Sequence, residues 1–405
     1  MLIRKAFQYQ LKTMPEIEQM LFEQAAFCRF VWNKALELNL RRLKDGLPLL
    51  WFAELCFWLK LWKSSEELGF LKAGDSQALQ QRLKDLDRAF KDGFDKQQPN
   101  TRIPIWRKKG KDESFRIPQR FKFEGNRVYI PKIGWVGFRN SRKLEGKPKN
   151  LTVSYRAGKW YISVQCEIEI SEPQHPSRSI VGIDLGVKRF ATLSNGVVYE
   201  PLNSFKKHQQ KLKREQQNLA RKVKFSANWQ KQKARIARLH SKIADCRKDH
   251  LHKITTKISN NHAMIIIEDL QVRNMSKSAK GTQDSPGSNV RQKSGLNRSI
   301  LDQAWSETRR QLEYKQQWKG GDVLAINPAR TSQTCSCCGH IDPASRVSQA
   351  LFSCTNCGKE LNADDNAALN ILAAGHAVLA CGEPPLGSSM KQEPVQSRKS
   401  IAAYL

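Results

Sequence analysis

Two cysteine turns constrain this chain more than anything else in it. Cys335-Ser336-Cys337-Cys338-Gly339 and Cys354-Thr355-Asn356-Cys357-Gly358 are C-x-x-C-G knuckles, with fifteen residues between Cys338 and Cys354. Each knuckle can present two sulfurs from one tight turn, and the glycine after the second cysteine permits that turn. Two knuckles at this spacing can bring four thiolates within tetrahedral reach of one Zn²⁺. The expectation is a closed structural site built from Cys335, Cys338, Cys354 and Cys357. Free thiols or a redox pair fit the spacing less well. Cys337 is left out because pairing it with Cys354 breaks the symmetry of the knuckles, and His340, able to substitute as a ligand, lies outside both. The remaining five cysteines, Cys28, Cys56, Cys166, Cys246 and Cys381, are scattered. With no continuous apolar run in Met1–Gln10 to suggest a secretory leader, this distribution predicts metal binding in a reducing compartment and no disulfide framework.

Charge narrows the partners. Lys and Arg number 69 against 38 Asp and Glu, a net +31 over 405 residues. A surface that basic calls for a polyanion, and nucleic acid is the default because each neutralised phosphate releases a counterion. An anionic membrane surface is the competitor. The most apolar stretch, Leu47–Trp62, is short and carries Glu54 and Lys60, which predicts a buried helix and no membrane span.

Texture divides the chain. Residues 1–10 read as a strand, and helical periodicity runs from Pro15 to Asp95. Phe27, Phe30, Val31 and Ala35 share one face, as do Trp51, Leu55, Trp58 and Trp62, which are expected in the core. The helical nucleic-acid recognition region is set at 11–114, and short strands with turns predict a small β-barrel from 115–170 together with 1–10. After a polar linker at 171–178, apolar strands alternate with helices, as in an α/β sheet. This region is set at 179–327 and 363–380, interrupted by the cysteine segment 328–362. Within it a break near 225–228 predicts an antiparallel helix pair, 276–297 reads as mobile, and 299–318 reads as one helix. The tail 381–405 reads as disordered.

Three carboxylates occupy special positions. Asp184 follows the apolar run SIVGI, Glu268 ends AMIII, and Asp364 opens the last helix. Strand-end and helix-start carboxylates can converge at the edge of one sheet. Like charges gathered there are costly without a cation. Mg²⁺ relieves that cost, and two such ions can activate a water and stabilise the leaving oxygen of a phosphodiester. Each residue alone has an ordinary explanation, a turn aspartate or a helix N-cap. Asp365 competes with Asp364 for the third place.

The flanks of these residues resemble a known family. GIDLGVKRFATLSNG, IIIEDLQVRNMSKS and ADDNAALNI resemble, in order, the three motifs of a RuvC-type nuclease. Their arrangement resembles the TnpB family encoded by bacterial insertion sequences, a relative of type V CRISPR nucleases. The resemblance implies an α+β multidomain chain: an N-terminal helical region and small β-barrel, then an RNase H-like (RuvC-type) α/β nuclease domain with an inserted zinc ribbon. It implies a Mg²⁺-dependent endonuclease, directed by a guide RNA from the transposon end, that cuts double-stranded DNA beside a short motif. Asp184, Glu268 and Asp364 would be its catalytic residues and hold a pair of metal ions: Asp184 and Asp364 binding or bridging them, Glu268 binding one and helping to orient the attacking water. The family pattern Asp-x-Asn-Ala-Ala falls on Asp364-Asp365-Asn366-Ala367-Ala368. NPARTSQTCSCCG resembles the run before the family's ribbon, with Arg330 where an aromatic is usual. SQALQQRLKDL resembles a segment that helps read the adjacent DNA motif, with Gln80 at the matching position. The implied setting is the bacterial cytoplasm, at the nucleoid when bound to DNA, with no membrane partner.

Basic segments supply the candidate contacts. Lys206–Lys253 holds 16 Lys or Arg against Glu215, Asp245 and Asp249, a nearly one-sign face suited to phosphates. Lys206, Lys207, Lys213, Arg214, Arg221 and Lys222 are the candidates there, with Arg107 and Lys108 in the loop Arg102–Lys111. The competing readings are a transposition accessory or repressor that binds without cutting, and a strict strand-joining transposase. No catalytic Tyr or Ser stands in a recognisable transposase motif, which weighs against the latter.

Overall fold

The computed structural model describes residues 1–97 and 101–380, so the tail expected to be disordered lies outside the described residues. Two compact units emerge: Met1–Ser171 with Asn218–Ser241, and Glu172–Gln217 with the residues from Lys242 onward.

The first unit begins with β1 (Leu2–Lys12), α1 (Pro15–Lys44), α2 (Phe52–Ser64) and α3 (Ser76–Phe94). α1 opens on a proline with Glu16 and Glu18 in its first turn and closes on Arg41, Arg42 and Lys44, which matches the helix dipole at both ends. α3 is capped by Asp75, whose carboxylate accepts from the Ala78 N–H at 2.8 Å. Strands β2 (Ser114–Ile117), β3 (Lys122–Glu124), β4 (Arg127–Ile130), β5 (Gly134–Phe138), β6 (Lys147–Arg156) and β7 (Lys159–Glu169) follow. Along β7, Trp160, Ile162, Val164 and Cys166 are fully buried, the period-two pattern of a sheet with one face in the core.

Two expectations are corrected in this unit. The strands form an open seven-stranded sheet, ordered β2-β6-β7-β1-β5-β4-β3, and no barrel closes among the described residues. Closure would need four-residue β2 to pair with three-residue β3. Instead a helix satisfies the start of β2: Arg82 of α3 donates to the Ser114 carbonyl at 2.5 Å. The tryptophan stripe also divides. Leu55 and Trp62 are buried, but Trp51 and Trp58 are 39% and 37% exposed. The buried stripe of α2 is Leu55, Leu59 and Trp62, and Trp58 stands one position off it.

The second unit is built on β8 (Ile180–Asp184), β9 (Ala191–Leu193), β10 (Val198–Tyr199), β11 (Met264–Glu268) and β12 (Asp322–Ile326). They form one sheet ordered β10-β9-β8-β11-β12. β8, β11 and β12 are parallel, and β9 and β10 run antiparallel beside them. Helices α4 (Ser204–Ala220) and α5 (Ala227–Asn261) are separated at 221–226, close to the expected break. α6 (Val272–Met275), α7 (Val290–Gln303) and α8 (Trp305–Lys319) lie between β11 and β12. The helix expected over 299–318 is therefore two, divided at Ala304, whose φ is 55°. The segment expected to be mobile is helical from Val290, and Lys293 donates to the Met275 carbonyl at 2.8 Å. The small strands β13 (Leu351–Ser353) and β14 (Glu360–Asn362) precede α9 (Ala363–Ala380).

Helices cover both faces of the second sheet. Ile265 and Ile267 pack with Val181, Ile183, Leu251, Ile258 and Leu312, while Ile266 packs with Leu324, Ile326 and Ile371 of α9. α9 lies directly on β8 because Gly182 has no side chain: a Cβ there would stand 2.4 Å from the Ala368 carbonyl oxygen. Among the described residues no helix is long and apolar enough to cross a membrane.

Candidate functional site

Asp184 and Glu268 end neighbouring parallel strands. The β8–β11 register runs from Met264↔Ile180 to Ile267↔Ile183, so the two carboxylates follow side by side at the same sheet edge. Asp364 joins them from the first turn of α9. It is not the cap of that helix, because Asn362 Oδ1 accepts the Asp364 N–H at 3.0 Å. Asp365 instead faces Arg189, at 3.6 Å.

The electrostatics record the crowding. The Asp184 carboxyl is pushed up to about 7, first by burial and then by the charges of Glu268 and Asp364, against the opposing pull of Arg346 and the Leu185 N–H. Burial also raises Glu268, while the Thr331 hydroxyl and Arg346 pull it down. Thr331 Oγ1 donates to Glu268 Oε1 at 2.6 Å. Burial raises Asp364 too, and Arg189 and Arg346 oppose it. A half-buried set of mutually repelling carboxylates fits hard divalent cations. Among the described residues only the four cysteines bring all their ligand atoms within 4.8 Å of one another. Thr331 and Arg346 were not singled out in the sequence. Thr331 lies in the motif-like run before the first knuckle, but Arg346 has no local signal at all.

The cysteine knuckles form as their spacing predicts. Gly339 N–H donates to the Cys335 carbonyl at 2.9 Å and Gly358 N–H to that of Cys354 at 3.0 Å, with both glycines at positive φ, 74° and 70°. Cys335 and Cys357 sulfurs are 3.7 Å apart, and those of Cys338 and Cys354 are 3.6 Å apart. A tetrahedron of about 2.3 Å Zn–S bonds has edges of about 3.8 Å, so the four sulfurs can hold such an ion. Neither Cys337 nor His340 belongs to the cluster. Asn366, fully buried, ties this segment to α9: its Oδ1 accepts the Ser336 N–H at 2.9 Å and its Nδ2 donates to the Thr334 carbonyl at 2.8 Å. Asn370 donates to the Thr331 carbonyl at 2.9 Å.

Known proteins match nearly the whole length of this chain in sequence. The family described as "Probable transposase" (OrfB of IS605) matches residues 163–279, a "Cas12f1-like, TNB domain" matches 305–371, and a helix-turn-helix domain matches 1–47. InsQ of Escherichia coli K12, named provisionally as an RNA-guided DNA endonuclease, is 53% identical over 401 residues, covering 98% of this chain and 99% of InsQ. The chain belongs to the TnpB family. A Streptomyces pristinaespiralis protein given the same provisional name is 33% identical over 413 residues, with 98% of each chain covered. A solved Cas12f1–sgRNA–target DNA complex aligns at a TM-score of 0.48 and 16% identity, over 91% of this chain and 98% of that one.

On this TnpB-family chain the basic candidates are not alike. Gln80 is exposed on α3, and Lys108, Lys206, Lys207, Lys213, Arg214, Arg221 and Lys222 are exposed. Arg107 is not free in the same way. Its guanidinium lies 4.2 Å from the Trp32 ring centre, and Asn33 hydrogen-bonds both its N–H and its carbonyl. Arg330 is exposed at a φ of 65°, in the turn that leads to Thr331 and Thr334.

Proposed function

We propose that this chain is an RNA-guided DNA endonuclease of an insertion sequence, cutting at the edge where β8, β11 and α9 meet. The observation that carries the reading is the convergence of Asp184, Glu268 and Asp364, with Asp184 held near 7 by burial and by its two neighbours. The sheet order β10-β9-β8-β11-β12, with its antiparallel half and parallel half, supports a RuvC-type RNase H-like domain. The name of InsQ supports RNA guidance and DNA as the substrate.

The three carboxylates would hold Mg²⁺, two ions on this reading, and bound Mg²⁺ supplies a more acidic water and charge stabilisation at the leaving oxygen. The chain's own residues do the rest. Thr331 fixes the orientation of Glu268 through its hydroxyl. Arg346 brings a positive charge to the three carboxylates and to the phosphate seated among them. Asn366 and Asn370 lock α9 to the cysteine segment, so that Asp364 and Thr331 keep one geometry. A structural Zn²⁺ in the four cysteines would stiffen the segment that delivers Thr331 and Arg346. Gln80, exposed on α3, would hydrogen-bond a base beside the target, as glutamine does with adenine. The guide RNA comes from the end of the element, and the activity serves to maintain it.

The test is to purify the chain from cells carrying its own locus, sequence the bound RNA, and offer DNA matching that RNA with Mg²⁺. A discrete RNA and cleavage of matched DNA are expected. Asp184→Ala should abolish cutting and leave RNA binding within about threefold, since the carboxylate makes a catalytic contribution of about a thousandfold. Persistent cutting by that variant removes the assignment. A heterogeneous RNA smear with no cutting favours a binding protein without cleavage.

A further inference from the structure

The turn between α4 and α5 forms an open cavity of ≈ 480 Å³ lined by Arg221, Lys222, Lys231 and Arg235, with Asn218 and Asn228 beside them. No carboxylate lines it. The charge is one-sided well beyond the cavity: between Glu215 and Asp245 there are eight Lys or Arg and no acidic residue. A group of cations this close repels itself unless an anion sits among them.

An aromatic pair adjoins the cavity. Phe225 is 68% exposed and Val223 79% exposed at the tip of the turn. The Phe225 and Trp229 rings lie 5.5 Å apart, and the ammonium groups of Lys224 and Lys233 stand 5.2 Å from their respective centres. Phe225 has a φ of 69°, an unfavourable conformation for an aromatic residue, and Gln230 holds it there by donating to its carbonyl at 3.2 Å. An exposed, strained phenylalanine among lysines does nothing for the core. It offers a face on which a base can stack.

We propose that this turn is a clasp for an unpaired loop of RNA: one base stacks on Phe225 and Trp229, and the flanking phosphates enter the cavity. The proposal rests on the RNA-guided reading above and names where a part of that RNA is held. A cleft of this size suits a single splayed nucleotide and excludes a duplex. The amides of Asn218 and Asn228 each offer a donor and an acceptor, the combination that matches a ribose 2′-hydroxyl, which DNA lacks.

The experiment titrates the full chain with three probes over a range of salt: an RNA stem closed by an unpaired loop, the same stem without a loop, and the DNA version of the looped probe. Phe225→Ala should weaken binding of looped RNA about tenfold and leave the salt dependence unchanged. Arg221→Ala with Arg235→Ala should lower the slope of log affinity against log salt by about 1.4, from two phosphates at about 0.7 each. Photocrosslinking of looped RNA to Phe225 or Trp229 in the unaltered chain tests the site without depending on how a variant folds. If the unaltered chain prefers looped RNA but the variants match it and the crosslinks fall elsewhere, the clasp is overturned and RNA guidance stands. If the variants weaken looped DNA as much as looped RNA, the commitment to RNA is overturned. If the unaltered chain retains no RNA at all, the guided reading fails first and takes the clasp with it.

Discussion

The cysteine cluster and the carboxylate edge are both candidate metal centres in the same unit, yet they are built in opposite ways. The cysteine site takes every ligand from residues 335–357, and two local turns bring the sulfurs within 4.8 Å of one another. The carboxylate site takes its ligands from β8, β11 and α9, elements spread over residues 180–380, and its members repel. A local site needs little beyond its own turns. A dispersed site depends on each packing contact that brings its parts together, and it stays under electrostatic tension that a cation relieves.

The sharpest break in this contrast is Gly182→Ala. The added methyl meets the α9 backbone, so α9 must lift from the sheet, costing about 3 kcal/mol and carrying Asp364 out of place. Denaturation and cleavage assays should both register the change, while the cysteines keep their metal. Loss of that metal in the variant would mean the two centres are not separable. The converse change is Cys338→Ser, which should take tightly held metal from about one ion per chain to nearly none, measured by elemental analysis of purified protein. The carboxylate edge should then keep its fold and lose activity only in part, because Asn366 and Asn370 still hold α9 to Thr331 and Thr334.

Smaller effects refine the comparison. Thr331→Val removes the hydroxyl from Glu268 at nearly constant volume, and cleavage should fall about tenfold to a hundredfold with the cysteine metal unchanged. Thr331→Ser should recover most of the loss, whereas a purely structural role would make the serine variant no better. Smallest of all is Glu307→Gln on α8. Hydrogen bonds from Arg310 lead in holding the Glu307 carboxyl down to about 2, below its ordinary 4.5. Its stabilising contribution is therefore complete above about 4.5 and is lost as pH falls through 2. Glu307 is a third exposed and Arg310 61% exposed, so the change should cost at most about 1 kcal/mol at neutral pH and touch neither centre.

The parts that could be read from the sequence are those governed by local rules. Asp184 and Glu268 were visible because each ends an apolar, β-branched run. Their adjacency, however, follows from the parallel register Ile267↔Ile183, which no local pattern specifies. Trp58 misled because helical spacing fixes which residues share a face, but Leu59, one position on, lies on the side that packs. The barrel failed for a related reason: strand lengths and turns were apparent, but whether β2 meets β3 is a question of long-range pairing. Thr331 and Arg346 were missed because a hydroxyl or guanidinium has no significance until a carboxylate distant in the chain, 63 residues away for Thr331 and Glu268, is folded against it.

By itself the sequence determined the four-cysteine cluster, the basic helix pair and the strands and helix that carry the acids. In each case the governing interaction spans a few residues, where turn geometry and hydrophobic period decide the outcome. The resemblance already favoured Asp364 over Asp365; only the tertiary structure decided that Thr331 steadies Glu268 and that Arg346 faces all three acids. Asp364 reaches the sheet edge because α9 lies flush on β8 at Gly182, a contact between residues too distant in the chain for any local rule to reach.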